Sequence, residues 1–334
     1  MTTLHPPHAA PSPRISVLMA ARNAGPFIGE AVASILNQTE GDFELLVLDD
    51  GSNDDTGKKA GDFDDPRLCV YRNSRPAGVA AARNRLLEMA RGEFIAVMDA
   101  DDVSSPDRLA LQTAFMREHP DIWACGGHMA ILHPEGRETP FRMPTDHERI
   151  TALLLFASPI PHPFAMFRGD IWRKHGIRYD ATMTSAVDYE LWQRIAVTWP
   201  EARFANLDAA LGRYRRHAGS LSDPQSAEHH AMESRARLQT FHALGLSPAQ
   251  TELEAHAHMY DTALPVPDEV TMLRIFDWAV QLRDANNERR LFAKDHFIFL
   301  LLQRLLQLTE NNPQHTALSV KLLTPWKMLA GESQ

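Results

Sequence analysis

The sequence predicts an α/β fold built on a doubly wound, mostly parallel sheet, and two observations lead to that prediction. Short apolar runs alternate with amphipathic stretches through the first half of the chain, as strands alternate with helices around a parallel sheet. Two of these runs, Phe43–Leu48 and Phe94–Met98, lead directly into aspartates. Because parallel strands end at a shared edge of the sheet, where open α/β folds bind ligands, we expect these acids to meet there.

The alternation can be followed along the chain. Strands are predicted at Arg14–Ala20, Phe43–Leu48, Leu68–Tyr71, Phe94–Met98 and Trp123–Leu132, and helices at Pro26–Gln38 and Ala80–Ala90. Ser105 is the expected N-cap of a further helix, with Pro106 at its first position. Four helical stretches follow at Glu228–Leu244, Pro248–Thr262, Val270–Ala285 and Glu288–Leu308. We therefore expect an α/β region followed by a helical extension.

Composition narrows the class of protein. The chain has 334 residues, of which 44% are hydrophobic and 23% charged, as is ordinary for a globular protein. Its formal net charge of -9 argues against a general nucleic-acid binder, which is normally basic. The two cysteines, Cys69 and Cys125, lie in apolar runs and are expected to be buried and unpaired. Residues 1–12 lack the charged and apolar parts of a signal peptide, so we expect a disordered leader on a cytoplasmic protein.

The strand at Phe94–Met98 leads into three carboxylates, Asp99, Asp101 and Asp102. Acids this close together repel one another unless a cation is near. An Asp-x-Asp pattern on a tight loop suits Mg2+ or Mn2+, which prefer oxygen ligands and keep positions open for phosphate oxygens. A solvated acidic turn is the alternative for so short a pattern, and the motif alone leaves both interpretations open.

Four ordered motifs carry a resemblance to a known family. They are Ile15–Asn23, Ser34–Gln38, Leu48–Ser52 and Val97–Asp102. In these motifs the chain resembles glycosyltransferase family 2, over roughly residues 12–222. The resemblance implies the GT-A fold, which is Rossmann-like, and inverting transfer from a nucleotide sugar. We accordingly expect a leader at residues 1–12, a GT-A domain at 13–222 and a helical extension at 223–334.

The resemblance also implies where the nucleotide sugar binds. Asp50 would accept hydrogen bonds from the base or ribose, Arg83 would face the nucleotide, and Asp99 would hold the ribose hydroxyls. The nucleotide-sugar residues implied in this way are Ala20, Arg22, Asn23, Asp50, Arg83, Asp99 and Ala100. The alternatives are a fold-stabilising turn for Asp50 and an exposed helix side chain for Arg83.

A metal site is implied beside the diphosphate. Asp101 would ligate Mg2+ or Mn2+, His217 would complete the metal shell or contact the diphosphate, and Asp102 would be either a capping or a supporting acid. Arg215 or Arg216 would offset phosphate charge. The alternative for the segment Gly212–Ser222 is a basic surface loop.

Three residues are implied on the acceptor side. Asp188, at the start of a predicted helix, would be the general base for the acceptor hydroxyl, or an N-cap acid, and both roles can coexist. The family commonly has Glu-Asp here and this chain has Val187-Asp188, which leaves the base assignment intact. His162, between two prolines, would approach the sugar or phosphate, or brace a loop. Trp192 would lie on the acceptor side or on the packing face of its helix.

The helical extension contains an apolar run at Phe297–Leu306. A bilayer span takes about 20 apolar residues, so the run is too short to cross a membrane. It suits a core helix or a homodimer helix better than a peripheral contact at the inner face of the cell membrane. His256 and His258 are expected on the helix surface, since i,i+2 side chains point apart.

Taken together, these features predict an inverting, metal-dependent glycosyltransferase. It would move one sugar from a UDP-, GDP- or dTDP-linked donor to a glycan or lipid-linked acceptor in bacterial surface polysaccharide synthesis, with no nucleic-acid partner. The Gln-x-x-Arg-Trp motif of processive relatives is absent from the sequence, which favours a single addition. A non-catalytic nucleotide-sugar-binding or scaffold protein on the same fold is the alternative. A nucleotidyltransferase would want a glycine-rich phosphate loop, which Ala20–Gly25 resembles poorly.

Overall fold

The structure, a computed structural model, describes residues 2–5, 12–217, 227–261, 264–312, 322–324 and 326. It divides into two compact units. The first comprises Met1–Asp146, Pro159–Leu191 and Glu201–Met232, and the second comprises His147–Ser158, Trp192–Pro200 and Glu233–Gln334. The first residues of the predicted helical extension, 223–226, lie outside the described residues, as do residues 218–222 of the segment Gly212–Ser222. The predicted domain boundary at residue 222 stays a prediction.

The first unit is built on a mixed sheet. In the described part of the chain its strands are β1 (Thr2–His5), β2 (Ile15–Ala21), β3 (Phe43–Asp49), β4 (Leu68–Arg72), β5 (Phe94–Val97), β6 (Val103–Ser104), β7 (Ile122–Leu132), β8 (Glu138–Phe141), β9 (Met166–Arg168) and β10 (Arg203–Arg215). The sheet order is β1-β4-β3-β2-β5-β9-β7-β10-β6, and β8 pairs with β7. Parallel pairing joins β4, β3, β2 and β5 in one block, and β9 is antiparallel to both β5 and β7. The predicted α/β fold is confirmed.

Helices follow the strands in the predicted alternation. The described helices are α1 (Ile28–Leu36), α2 (Thr56–Ala60), α3 (Val79–Met89), α4 (Arg108–Glu118), α5 (His147–Leu153), α6 (Gly169–His175), α7 (Val187–Thr198), α8 (Ala227–Ala243), α9 (Gln250–His258), α10 (Glu269–Arg289) and α11 (Lys294–Glu310). A short 3-10 turn lies at His162–Phe164. The C-terminal helices predicted by periodicity are confirmed, with ends that differ by a few residues. Among the described helices, none is both long and apolar enough to cross a membrane.

The helix after the carboxylate motif begins later than its sequence predicts. α4 starts at Arg108, and the expected N-cap, Ser105, instead donates its Oγ proton to the Ala210 carbonyl at 3.1 Å. The N-cap prediction was wrong because β6 pairs with β10 and the Ser105 amide continues this pairing. Gln38 supplies the cap from a distance, since its Oε1 accepts from the Leu109 amide at 3.0 Å. Gln38 belongs to the motif Ser34–Gln38, so the structure gives that motif a role in positioning α4.

The sequence predicted a disordered N-terminal leader, but part of the leader is a strand. Thr2–His5 forms β1, antiparallel to β4, with Thr2 opposite Arg72. Composition failed here because a strand at a sheet edge is held by backbone hydrogen bonds, and an exposed edge such as β4 offers them to a polar segment as readily as to an apolar one. β1 covers that edge of the sheet.

Arg108 is a fully buried arginine in the centre of the first unit. Its Nη2 donates to the carbonyls of Val97 at 2.7 Å and Ala165 at 3.2 Å, and its Nη1 donates to the Pro163 carbonyl at 3.1 Å. Burial lowers the pKa of Arg108 to about 9. The guanidinium therefore joins the end of β5 to the segment that leads into β9.

The second unit has its own apolar core, and His256 lies in it instead of on the helix surface. The imidazole is 2% exposed, its Nε2 lies 2.9 Å from the Leu155 carbonyl, and its Nδ1 accepts from Trp278 Nε1 at 3.1 Å. Burial, followed by the charge of Arg237, lowers the pKa of His256 to about 3. The surface prediction was wrong because helical spacing shows which side chains share a face of α9, not that α10 covers the face carrying His256. One face of the apolar run on α11 is buried in the same core through Phe297, Leu301, Leu302 and Leu305, whereas Phe299 is exposed.

The depressed pKa of His256 predicts a loss of stability in acid. Between about pH 3 and the ordinary histidine pKa of 6.5, the unfolded chain binds a proton at this residue that the folded chain excludes. The contribution is complete above pH 6.5 and is lost as the pH falls, by about 1.4 kcal/mol per pH unit. Urea unfolding at pH 7.5 and 5.5 should show a shallower loss in His256→Gln than in wild type. The exposed His242→Gln serves as control, and equal losses in wild type and His256→Gln would contradict the prediction.

Candidate functional site

The acids at the end of β5 converge with side chains from distant parts of the first unit. Asp99 and Asp101 are partly exposed, whereas Ala100 and Asp102 are buried. Because β5 is a buried strand in the middle of the sheet, its end delivers these residues to the edge where ligands of α/β folds bind. Each of the three carboxylates contacts a different partner.

Asp99 is held by Arg83 on α3. The Arg83 Nη2 donates to Asp99 Oδ1 at 2.7 Å, and the guanidinium carbon lies 5.7 Å from the centre of the Tyr179 ring. Burial alone would lower the pKa of Arg83, but the negative charge of Asp99, with smaller effects from Tyr179 and Asp188, outweighs burial and raises it. Asp188 therefore lies within electrostatic range of the same guanidinium. The structure brings Arg83 into contact with Asp99 and places Asp188 within electrostatic range of Arg83, and the sequence had singled out all three residues.

Asp101 and Asp102 are held by the end of β10. His217 Nε2 lies 2.8 Å from Asp101 Oδ2, and the Arg215 amide donates to Asp102 Oδ1 at 2.8 Å. Arg215 is also bound by its side chain, which donates to the Asp101 carbonyl at 2.8 Å and to Glu30 at 2.5 Å. The Arg215 guanidinium is thus engaged within the protein, and the neighbouring Arg216 is the exposed arginine of this segment.

The ionised forms of Asp101 and Asp102 are unfavourable in this site, because both carboxyls are at least partly buried and lie close to other acids. Burial and then the charge of Asp99 raise the pKa of Asp101, and His217 opposes the shift. Burial and then the charges of Asp101 and Asp99 raise the pKa of Asp102 well above its usual range. Within the described part of the chain, Asp102 Oδ2 is buried without a hydrogen-bond partner. The cluster would be relieved by a positive charge.

The loop after β2 is held by side chains that follow β3. Asn23 has a positive φ of 52°, a conformation that asparagine tolerates, and its amide donates to Ser52 Oγ at 2.9 Å. Asn23 Oδ1 in turn accepts from the Asn53 amide at 2.9 Å. Ala20 is partly buried and Arg22 is exposed. Arg22 and Asn23, which were predicted to bind the nucleotide sugar, therefore lie on a loop whose backbone is held by hydrogen bonds.

Asp50 is bound by the loop that precedes α3. Its carboxylate accepts from Asn73 Nδ2 at 2.8 Å and from the amides of Ala77 and Gly78 at 2.9 Å. Gly51, with a φ of 68°, allows the close approach, because a Cβ there would lie 2.8 Å from the Pro76 nitrogen. Asp50 is 3% exposed, so its observed contacts match the fold-stabilising alternative. Its role in binding a base or ribose stays a prediction.

His162 is buried at the same edge and contacts Tyr179. Its Nε2 lies 2.9 Å from the Tyr179 hydroxyl. Burial, followed by the charges of Arg83 and Arg108, holds the pKa of His162 well below its usual range, so the ring is neutral at physiological pH. The observed contact braces Tyr179, and an approach of His162 to sugar or phosphate stays a prediction.

The remaining acceptor-side residues lie on α7. Asp188 occupies its first turn. Trp192 is fully buried, so its indole has no exposed surface for an acceptor in this conformation. Sequence reasoning missed two contributors altogether, Tyr179 and Asn84. No local pattern in the sequence indicates Tyr179. Asn84 could have been noticed only as the residue that follows Arg83.

Among the described residues, no group of three or more His, Cys, Asp or Glu side chains forms a metal site by itself. Asp101 and His217 are nevertheless the metal-binding types that the sequence predicted, and they are in direct contact. Mg2+ in particular is usually held by one or two carboxylates, with water and substrate phosphate oxygens completing its shell. The pair suits such a partial site, in which the substrate supplies the remaining ligands.

Comparison with known proteins shows which family the chain is similar to. The family model described as glycosyl transferase family 2 matches residues 16–182, which is half of the chain. The O-antigen biosynthesis glycosyltransferase WbnJ of Escherichia coli is 31% identical over 206 residues, covering 61% of this chain and 80% of that protein. The Escherichia coli protein WfgD, a UDP-Glc:alpha-D-GlcNAc-diphosphoundecaprenol beta-1,3-glucosyltransferase, is 39% identical over 117 residues, covering 35% of this chain and 46% of that protein.

A solved structure shares the fold. The crystal structure of S. aureus TarS 1-349 in complex with UDP-GlcNAc superimposes with a TM-score of 0.60 at 20% identity, covering 89% of each chain. This likeness supports the GT-A fold, with its α/β sheet and C-terminal helices. Family model, relatives and fold agree, and the chain belongs to glycosyltransferase family 2.

Proposed function

We propose that this glycosyltransferase transfers a single sugar, with inversion, from a nucleoside-diphosphate sugar to a hydroxyl of a saccharide acceptor. The observation that carries the proposal is the position of Arg83, which bonds Asp99 and lies within electrostatic range of Asp188. Asp99 follows β5, at the edge of the sheet where we expect the nucleotide sugar to bind. Asp188 is the proposed base. One guanidinium therefore links the donor side of the reaction to its acceptor side.

On the donor side, the chain's own groups hold and orient the nucleotide. Arg83 pairs with the Asp99 carboxylate at 2.7 Å and orients it, so that Asp99 accepts hydrogen bonds from the ribose hydroxyls. Arg22 and Arg216 are exposed and offer positive charge to the diphosphate. Asp50 keeps the loop before α3 in place, which supports the same edge of the sheet.

The residues present fit a divalent cation. Asp101 and His217 would hold Mg2+ or Mn2+, with oxygens of the diphosphate and water completing the shell. The buried Oδ2 of Asp102, which has no hydrogen-bond partner among the described residues, supports a nearby positive charge. Bound there, the cation would offset the negative charge that develops on the departing nucleoside diphosphate.

On the acceptor side, Asp188 would take the proton of the attacking hydroxyl as the oxygen bonds to the anomeric carbon and the sugar–phosphate bond breaks. Inversion requires one displacement, so one base is enough. A positioned carboxylate base contributes on the order of 10² to 10⁴ in rate. The first turn of α7 also favours a negative charge, so Asp188 stabilises its helix in the same position.

The relatives suggest the acceptor class. WbnJ is named for O-antigen biosynthesis, and the name of WfgD specifies a GlcNAc-diphosphoundecaprenol acceptor and a UDP-linked donor. By analogy we propose a lipid-linked saccharide acceptor at the inner face of the cell membrane, and UDP-sugars as the first donors to test. A peripheral membrane contact would follow from such an acceptor, and dimerisation through the C-terminal helices stays a prediction.

A non-catalytic nucleotide-sugar-binding protein is the second candidate. The donor-side contacts do not distinguish it from the enzyme, because a binder would use the same pairing of Arg83 with Asp99. Thermal-shift titration with nucleoside diphosphates and their sugars, with and without Mn2+, separates the candidates when combined with an assay for released nucleoside diphosphate. Binding with acceptor-dependent release supports the enzyme, whereas binding without release over a panel of lipid-linked saccharides supports the binder.

Removing the base should abolish turnover while leaving donor binding intact. Asp188→Asn keeps the size of the side chain and loses its basicity, so kcat should fall on the order of 10² to 10⁴. The donor Kd, measured by calorimetry, should change by less than about threefold, since a base acts in the transition state. Asp170→Asn is the control, because Asp170 is an exposed acid in the first turn of α6. Unchanged turnover in Asp188→Asn would remove Asp188 as the base.

Removing the predicted metal ligand should uncouple donor binding from the metal. Asp101→Ala should weaken Mn2+ binding in the presence of UDP at least about tenfold, read directly from the electron paramagnetic resonance signal of free Mn2+. The control is Asp107→Ala, because Asp107 is an exposed acid between β6 and α4. If wild type binds donor equally well with and without the metal, the cation proposal is wrong.

A further inference from the structure

We propose that Asn84 is a positioning residue that locks the segment leading to Asp188 onto α3. The inference rests on the proposed function, because it assigns Asn84 a part in aligning the acceptor base with the donor side. Asn84 would touch neither substrate. It would act through the backbone of Tyr179, nine residues before Asp188.

The contact is a two-point clasp between a side chain and a backbone. Asn84 Nδ2 donates to the Tyr179 carbonyl at 2.8 Å, and the Tyr179 amide donates to Asn84 Oδ1 at 2.8 Å. The oxygen and the nitrogen of the carboxamide both bond the backbone of Tyr179. The clasp therefore fixes the orientation of the backbone at Tyr179 as well as its distance from α3. A carboxamide is the side chain that can pair in this way with an amide and a carbonyl of one backbone residue.

The clasped residue connects both sides of the site. The Tyr179 hydroxyl lies 2.9 Å from His162 Nε2, and its ring lies beneath the Arg83 guanidinium at 5.7 Å. Burial is the main cause of the raised pKa of Tyr179, and the charge of Asp188 adds to it. The segment then turns at Asp180, whose carboxylate accepts from the Thr182 amide at 2.8 Å, and α7 begins at Val187.

Adjacent positions of α3 thus serve the two sides of the reaction. Arg83 bonds Asp99, and Asn84 bonds Tyr179. Since the two residues share one turn of a helix, any shift of the Tyr179 segment relative to α3 changes the distance between Asp188 and the donor. A misplacement of about 1 Å in a catalytic arrangement can reduce the rate about 10²-fold.

The clasp lies where it can be changed without opening the core. Asn84 is partly exposed and, with Ala181, lines an open pocket of about 470 Å3. Its replacement would therefore remove two hydrogen bonds without leaving a buried cavity. A positioning role and a general folding role can be separated on this basis.

The test combines kinetics with hydrogen exchange in the full-length protein. Asn84→Ala removes both bonds, Asn84→Asp replaces the donor by a carboxylate oxygen that repels the Tyr179 carbonyl, and Glu88→Ala, one turn further along α3, is the control. With UDP-sugar donors, we expect kcat for both Asn84 variants to fall by between about 10-fold and 10²-fold, with a donor Kd within about threefold of wild type. Amide exchange of residues 177–187 should increase, while the Tm stays close to that of Glu88→Ala.

Three results would overturn the proposal. An unchanged kcat would show that the clasp does not align the site, and unchanged exchange at 177–187 would show that Asn84 does not hold the segment. A loss of donor affinity equal to the loss of kcat would place the effect on α3 itself. If wild type shows neither donor binding nor transfer, the proposed function fails, and the exchange data still report on the clasp separately.

Discussion

Three carboxylates within four residues, at the end of β5, are the constraint to which the rest of the first unit responds. Each is held by a different element: Asp99 by Arg83 of α3, Asp101 by His217 after β10, and Asp102 by the Arg215 amide. Close acids repel one another, and the repulsion grows with burial. The folded unit offsets this repulsion with a guanidinium, an imidazole and a backbone amide from positions far apart in the chain. The charge cluster therefore ties the end of β5, in the middle of the sheet, to the end of β10, the last strand in the described part of the chain.

The same contacts explain how a binding edge becomes a reaction site. Arg83 is committed to Asp99 on one side and lies over Tyr179 on the other. Tyr179 belongs to the segment that leads to Asp188, so a guanidinium and a phenol connect the donor acids to the proposed base. Arg108 adds rigidity beneath this layer, because its guanidinium spans the carbonyls of Val97 and Ala165. A chemical step that needs atoms aligned within a fraction of an ångström benefits from such fixed supports.

Several elements were predictable because their cause is local. The runs at β2, β3 and β5 are mostly apolar and almost entirely buried, as is typical of central parallel strands, and the helical periods of α10 and α11 show the faces that enter the core. The errors share a different cause. The bonds of Ser105 to β10 could not be recognised, nor could His256 as a core residue, because in each case the deciding partner lies about 100 residues away in the sequence. Asp50 was predicted from its motif, but its hydrogen bonds to the loop before α3 could not be.

By itself, the sequence determined the fold class, the family and which acids meet at one edge of the sheet. These follow from apolar periodicity and from motifs in which neighbouring residues act together. Only the tertiary structure decided which partner each acid has. It also decided that the Arg215 side chain donates to Glu30 and to the Asp101 carbonyl, and that Asn84 bonds the backbone of Tyr179. Those contacts join residues between 95 and 185 positions apart. Their geometry is set by packing of the whole unit, which no local pattern of residues encodes.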